Sequence, residues 1–192
     1  MNESTASMIQ AAAEDGHTVG LRTNPSRNYE TISDKDAIYS DLDHQVSYIE
    51  DVSGEKVQFA RSPLNSSNMP NEYVYDYFVE NNIIMTQSAF SPYDAGTNPT
   101  EAVENHFRLL SPSFDSRIVS LYGSRLQEDE ELQNIINVIR GNGFSFVTLE
   151  KCLPDYKPGD SAAAFSECKQ SSSGAPTIIN RGFITLLTYL AH

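Results

Sequence analysis

Basic residues are scarce in this sequence, and long apolar runs are missing from it. The 192 residues include 13 lysines and arginines against 26 aspartates and glutamates, which gives a net charge of −13. Nucleic-acid binding requires a clustered positive surface, so this charge balance argues against that class of partner. The longest apolar run is far shorter than the roughly 20 residues that a membrane-spanning helix requires. Composition therefore excludes nucleic-acid-binding and membrane-spanning proteins.

Several common catalytic motifs are absent as well. The sequence contains no GxSxG elbow, no P-loop, no GxGxxG after a strand and no HExxH pair. A glycosidase carboxylate pair stays open, because 26 acidic residues offer many pairs and the sequence fixes no distance between them.

The chain has only two cysteines, Cys152 and Cys168. No histidine lies nearby, so a metal site with four Cys or His ligands is not expected here. Two interpretations remain. The cysteines are either two unpaired thiols or one disulfide, which would close a polar segment and imply an oxidising compartment. We expect the disulfide. Asn65 begins an Asn-Ser-Ser sequon and is a candidate glycosylation site, whereas the polar N-terminus lacks the pattern of a signal peptide.

Helical and strand patterns alternate over residues 1–153, which form the predicted domain. Helical spacing is found in Met8–Ala13, Ser33–Val52, Tyr73–Val79, Glu101–Leu110 and Glu128–Arg140. Strand patterns are found in His17–Leu21, Val57–Ala60, Ile83–Thr86, Ile118–Tyr122 and Phe144–Leu149. This alternation favours an α/β fold with a parallel sheet or barrel, whose ligand-binding loops follow the carboxyl ends of the strands.

Residues 154–192 read as a polar tail with a short apolar segment, Gly182–Leu190. Small residues followed by an apolar terminus are typical of a lipid-anchor signal, but the polar spacer is nearly absent and the apolar part is short. We expect this segment to pack on the domain.

Five blocks of the sequence resemble one family in the right order. Gly16–Ser26 is similar to its run GHEIGNHTYSH, and the other blocks match its FRPPYG, DPYDW, IILLHD and closing helix-strand patterns. Those blocks are Phe59–Asn65, Ser91–Ala95, Ile118–Gly123 and Ile135–Leu153. Residues 9–153 thus resemble polysaccharide deacetylases of the NodB-homology type, carbohydrate esterase family 4, and chitin deacetylases in particular. The resemblance implies an incomplete or distorted (β/α) barrel without its first strand, because the family's TFDDGP motif has no counterpart.

The family uses an aspartate and two histidines to hold a divalent metal such as zinc or cobalt. The resemblance places Arg22 and Ser26 at the two histidine positions and Tyr122 at the position of the general-acid histidine. Arginine repels a divalent cation, and serine is a poor substitute for imidazole. Tyrosine, with a reference pKa of about 10, is a poor acid near neutral pH. We therefore expect no metal cofactor and no catalytic residue.

The remaining matched positions imply a substrate groove. Its candidate residues are Arg61, Pro63, Tyr93, Asp94 and Tyr122. Other readings remain for two of them, a surface position for Arg61 and a turn position for Asp94. Convergence of Phe90, Tyr93 and Tyr122 would favour the stacking of sugars.

Our first hypothesis is an inactive, chitin deacetylase-like protein, secreted or at the cell surface, that associates with cell-wall or spore-surface carbohydrate. Its partner would be chitin or a related N-acetylated polysaccharide. One alternative is an active metal-dependent N-deacetylase with displaced motifs, and another is an interaction module that binds no carbohydrate.

The missing first strand also predicts an open sheet edge beside Thr18–Leu21. Val19 and Leu21 should then be unusually exposed. We expect Phe183–Leu190 to pack along this edge, or the chain to self-associate there.

Overall fold

The structure is a computed structural model that divides into two compact units. It describes residues 3–24, 26–61, 71–87, 89–122, 129–153, 156–158 and 183–189. The first unit consists mainly of residues 1–87, and the second consists mainly of residues 88–155 and 166–192. Each unit has its own apolar core. Within the described ranges, every helix is too short or too polar to cross a membrane.

The first unit combines three helices with a parallel three-stranded sheet. The helices are α1 (Glu3–Glu14), α2 (Lys35–Ser53) and α3 (Glu72–Glu80). The strands are β1 (Leu21–Arg22), β2 (Phe59–Arg61) and β3 (Ile84–Met85), in the order β1-β2-β3. All six local patterns predicted for this region therefore correspond to real elements, although the strands are shorter than expected.

Local capping signals explain why α2 begins and ends where it does. The Asp34 side chain accepts hydrogen bonds from the backbone N–H groups of Asp36 and Ala37, which have no partner within the helix. Gly54 ends the helix in the left-handed conformation, with φ 73°. The predicted range Ser33–Val52 begins two residues before the helix does, because Ser33 and Asp34 are both good caps and the sequence alone does not choose between them.

The core of the first unit lies between its sheet and the helices α2 and α3. Leu21, Ala60 and Met85 are register partners on adjacent strands and form one row across the sheet. This row packs with the apolar stripes of the two helices. The buried helix residues in this core are Ile38, Leu42, Ile49, Val74, Tyr77 and Phe78. The sheet face that carries Leu21 is therefore the helix-covered face.

The second unit has the same construction. Its helices are α4 (Pro99–Phe107), α5 (Asp129–Gly141) and α6 (Leu149–Cys152), and its strands are β4 (Arg117–Tyr122), β5 (Ser145–Phe146) and β6 (Phe183–Tyr189). The strands are parallel in the order β4-β6-β5. Val103, Phe107, Ile135 and Ile139 bring the facing sides of α4 and α5 into the core.

These sheets confirm the α/β class. The described strands form two open three-stranded sheets and not a closed barrel, which agrees with an incomplete form of the predicted fold. The boundary at residue 153 between a domain and a polar tail stays a prediction.

Two expectations about the open edge are wrong. Leu21 is 3% exposed and not open to solvent, because a sheet edge exposes backbone groups while the side chain points onto the helices. Val19 is partly buried against the same core. The apolar C-terminal segment does form a strand, but β6 pairs with β4 and β5 and not with β1. Self-association at the edge stays a prediction.

The close approach of β2 to Gly20 generates the first testable prediction. A Cβ atom at Gly20 would lie 2.8 Å from the backbone oxygen of Phe59, which has no room to move within the sheet. We expect Gly20→Ala to lower the free energy of unfolding by about 1–3 kcal/mol, as overpacking does. Urea denaturation followed by circular dichroism measures this loss.

Gly141→Ala is the matched control, because a Cβ atom there meets nothing within 4 Å and Gly141 ends a helix. Alanine should be neutral there or stabilise α5 by up to about 1 kcal/mol. Equal stability of the two variants would contradict the contact with Phe59.

The disulfide yields a second prediction. Cys152 is fully buried at the end of α6, and Cys168 lies outside the described residues. A loop of about 16 residues closed by this bond would contribute roughly 3 kcal/mol by the chain-entropy model. Thiol titration in denaturant without reductant should find no free thiol in the parent protein and one in Cys168→Ser. Two thiols in the parent protein, prepared without reductant, would disprove the bond.

Candidate functional site

In the first unit, two candidate residues stand side by side at the carboxyl ends of their strands. Arg22 of β1 and Arg61 of β2 are register partners in the parallel sheet. Successive residues of a strand point to opposite faces, so both arginines point away from the face that packs on α2 and α3. Both side chains are half-buried and interact with other groups of the chain. The resemblance in sequence identified both residues as candidates, but it did not predict that they are neighbours in the sheet.

Two buried threonines fix the backbone around this arginine pair. The N–H and the hydroxyl of Thr23 both donate to the backbone oxygen of Arg61, at 3.0 and 3.4 Å. The N–H and the hydroxyl of Thr86 donate to the backbone oxygen of Ala60, at 2.8 and 3.3 Å. Both threonines are at most 2% exposed. These bonds extend the parallel ladder beyond β1 and β3 and hold the end of β2 in place.

The loop after β1 is fastened to α2 by a polar network. Gln45 accepts a hydrogen bond from the N–H of Asn24 at 2.9 Å and donates to the Tyr29 hydroxyl at 3.0 Å. That hydroxyl donates to Asp41 at 2.7 Å, and Arg27 pairs with the same carboxylate. Burial, followed by the bond to Asp41, raises the pKa of Tyr29, so this phenol remains a donor at neutral pH.

Ser26 lies exposed in this loop. Its N–H donates to the side chain of Asn24 at 3.0 Å, an arrangement typical of a tight turn. The structure therefore gives Ser26 a place at the surface of the turn and not in a cluster of ligands.

In the second unit, two of the three aromatic candidates converge. The rings of Tyr93 and Tyr122 have centroids 5.6 Å apart and are tilted by 46°. Tyr122 is the last residue of β4, and Tyr93 belongs to the short 3-10 turn Pro92–Asp94. Both rings are half-exposed, so they form an aromatic pair at the carboxyl end of β4. Asp94 is exposed in the same turn, and its N–H donates to the Ser91 carbonyl.

Phe90, the third aromatic candidate, packs on a histidine that the sequence gave no reason to select. The rings of Phe90 and His106 stack with centroids 4.1 Å apart and planes 6° from parallel. The rings of His106 and Phe107 make an edge-type contact, with centroids 5.4 Å apart and planes at 77°. Burial, and to a smaller extent the charge of Arg117, lowers the pKa of His106. His106 Nε2 is buried without a hydrogen-bond partner in the part of the chain that the structure describes.

The side chains of the described residues do not form a metal centre. No group of three or more His, Cys, Asp or Glu side chains comes together within the described ranges. Arg22 offers no lone pair to a metal, and Ser26 lies in the exposed turn. The residues at the resemblance's metal positions therefore do not fit a divalent ion. Pro63, Asn65 and Cys168, also named from the sequence, lie outside the described residues.

Comparisons with known proteins agree with this fold. No family model matches the sequence. The Xyl-CE4 domain of a multidomain xylanase, from the hindgut metagenome of Trinervitermes trinervoides, is similar in structure with a TM-score of 0.67. It is 19% identical in sequence, and the match covers 87% of this chain and 79% of that domain.

Two further structures are similar. The chitin deacetylase of Colletotrichum lindemuthianum gives a TM-score of 0.65 at 18% identity and covers 90% of this chain and 76% of its own. A family 4 acetyl xylan esterase from Clostridium thermocellum, in complex with cobalt, gives a TM-score of 0.56 at 21% identity. This match covers 77% of this chain and 69% of the esterase chain. The chain therefore has the fold of the family 4 polysaccharide deacetylases and esterases.

The environment of His106 generates a prediction about pH. Because folding lowers its pKa below the ordinary value of 6.5, the folded state favours the neutral ring. The stability that depends on this neutral ring is complete above about pH 6.5 and is lost as the pH falls toward the folded pKa. The urea midpoint of the parent protein should fall between pH 7.5 and 5.5.

A variant and a control test whether His106 causes this loss of stability at low pH. His106→Phe keeps an aromatic ring in contact with Phe90 and Phe107 but does not titrate, so its midpoint should fall less over the same range. His44→Gln, on an exposed position of α2, should keep the full loss of the parent. An unchanged pH dependence in His106→Phe would show that other groups cause it.

Proposed function

We propose that this protein binds acetylated polysaccharide, of the chitin or xylan type, without metal-dependent deacetylation. Its fold is that of the family 4 carbohydrate esterases, and among the similar structures one is a chitin deacetylase and another an acetyl xylan esterase. The observation that carries the proposal is the Tyr93–Tyr122 pair at the carboxyl end of β4.

The aromatic pair is suited to a sugar because of the flat shape of its rings. Tyrosine rings offer flat apolar faces, and these two rings are half-exposed, whereas the hydroxyl of Tyr93 is buried. The pair follows a parallel strand, and loops at the carboxyl ends of such strands are where ligands bind in α/β folds. Carbohydrates present apolar C–H faces, and an exposed aromatic ring can stack on such a face.

The proposed loss of deacetylation rests on the residues at the matched metal and acid positions. The resemblance puts Arg22 and Ser26 where the family has metal-binding histidines, and neither offers the imidazole nitrogen that zinc or cobalt prefers. Tyr122, at the matched general-acid position, packs on Tyr93 and would act as a binding residue. We further propose a location outside the cell or at its surface, where such polysaccharides are found and where a Cys152–Cys168 disulfide would persist.

Titration calorimetry with chitin hexamer and with acetylated xylan oligomers tests the binding. We expect the parent protein to bind at least one of them, and Tyr93→Ala or Tyr122→Ala to weaken that binding about five- to tenfold. Phe114→Ala is the control, because Phe114 is an aromatic residue of the same unit that is 82% exposed and outside the pair. Binding that survives both tyrosine variants would contradict the role of the pair.

An acetate-release assay on the same oligomers, with and without added zinc or cobalt, tests the second part. We expect no release above the rate without protein. Metal-dependent release would establish the alternative of an active N-deacetylase. Failure of the parent protein to bind any of the oligomers would instead favour an interaction module that binds no carbohydrate.

A further inference from the structure

A stacked pair of rings joins α4 to the segment that carries Tyr93. The rings of His106 and Phe90 lie 6° from parallel, with centroids 4.1 Å apart. His106 is the next-to-last residue of α4, and Phe90 precedes Tyr93 by three residues. The short turn Pro92–Asp94 that follows Phe90 packs against both α4 and β4. The stack is therefore part of the contact that carries Tyr93 to the carboxyl end of β4.

Backbone hydrogen bonds anchor this segment to β4. The Ser120 N–H donates to the Phe90 carbonyl at 2.9 Å, and within the turn the Asp94 N–H donates to the Ser91 carbonyl at 3.2 Å. The side chain of Ser91 precedes the turn but does not cap it, and its buried hydroxyl has no hydrogen-bond partner among the described residues. Toward α4, packing contacts hold the turn, and the stack of Phe90 on His106 is one of them.

Protonation of His106 is incompatible with this packing. An imidazolium carries an N–H on each of its two ring nitrogens. Nε2 is buried and has no partner in the described part of the chain, so protonation would leave a charged donor there without an acceptor. The face of Phe90 attracts a cation, but it offers no acceptor in the plane of the imidazole. The protonated ring gains hydration by leaving the stack.

The surroundings of the ring also favour its neutral form. Burial is the larger cause that lowers the pKa of His106, and the charge of Arg117 on β4 is the smaller one. Arg117 itself pairs with Asp115 at 3.5 Å. The turn on the other side of the stack brings Tyr93 and the exposed Asp94, and α5 packs on α4 through apolar side chains. Within the described ranges, no carboxylate raises the pKa of this histidine.

We propose that His106 is a positioning residue of the saccharide site. Its neutral ring holds the turn that places Tyr93 beside Tyr122, and uptake of a proton releases this turn and abolishes saccharide binding. His106 acts through Phe90 and does not itself touch the saccharide. This inference rests on the proposed binding of carbohydrate and adds its regulation: the protein would release its ligand in an acidic environment.

Titration calorimetry across pH tests this coupling with the neutral oligomer that the parent protein binds, chitin hexamer or acetylated xylan. Because such an oligomer does not titrate, a change of affinity with pH comes from the protein. We expect a constant affinity above about pH 6.5 and half of that affinity at the folded pKa of His106. One pH unit below that pKa, binding should be about tenfold weaker. Near-ultraviolet circular dichroism at each pH confirms that the protein is folded.

Nuclear magnetic resonance of the imidazole gives a test that needs no variant. Thermodynamic coupling is reciprocal, so saturating saccharide must lower the pKa of His106 in the parent protein. The sequence has four histidines, and the signal of His106 is assigned through its backbone resonances. The pH at which the affinity is halved should also coincide with the pKa measured without saccharide. A His106 pKa that is the same with and without saccharide would overturn the inference.

Variants connect the pH dependence of binding to this one ring. His106→Phe keeps a ring against Phe90 and does not titrate, so it should bind at pH 7.5 about as tightly as the parent and keep that affinity at acidic pH. His106→Ala removes the stack and should weaken binding at least about fivefold at every pH. His44→Gln, on an exposed position of α2, should keep the pH dependence of the parent.

The outcomes separate this inference from the proposed function. Saccharide binding by the parent protein that does not change with pH would overturn the inference and leave carbohydrate binding intact. A pH dependence that persists in His106→Phe would do the same, because other groups would then cause it. Failure of the parent protein to bind any of the neutral oligomers at pH 7.5 would overturn the proposed function itself.

Discussion

The first unit depends on the burial of one row of side chains, Leu21, Ala60 and Met85, against α2 and α3. Because strand residues alternate between faces, this burial also decides where Arg22 and Arg61 point. A slip of one residue in either strand would turn a guanidinium into the apolar core, at a cost of several kcal/mol. Hydrophobic packing on one face thus enforces the pairing of charges on the other, and the bonds of Thr23 and Thr86 secure the strand ends at that register.

In the second unit, backbone pairing rather than a long strand positions the aromatic residues. The Ala89 N–H donates to the Ile118 carbonyl, and the Ser120 N–H donates to the Phe90 carbonyl, so this short segment runs alongside β4. Phe90 can then lie on His106, and the turn that follows brings Tyr93 to Tyr122. The two ring contacts have different consequences, since the first buries a titratable group and the second leaves two rings accessible to a ligand.

The parts of this structure that local signals determine could be predicted from the sequence. Apolar spacing located the helices, and a cap such as Gly54 acts within a few residues of itself. The pairing of Arg22 with Arg61 could not be predicted, because strands of two or three residues carry almost no pattern and their register depends on packing across distant segments. His106 was missed for a similar reason, since its partner Phe90 lies in another element. The position of β6 is also a long-range property: its apolar pattern was visible, but its neighbours β4 and β5 were not.

The place of β6 in the middle of its sheet has a consequence for how the protein is made. In the order β4-β6-β5, the strands β4 and β5 each pair with β6 and not with each other. β6 is synthesised only after residues 147–182. Until then a nascent second unit holds two short strands with unpaired inner edges, which are templates for wrong pairing. Contacts between segments so far apart in sequence also form slowly. During translation the first unit can complete its sheet from residues 21–85, whereas the second cannot complete its sheet until β6 has also left the ribosome. The second unit is therefore the part in greater need of chaperone protection.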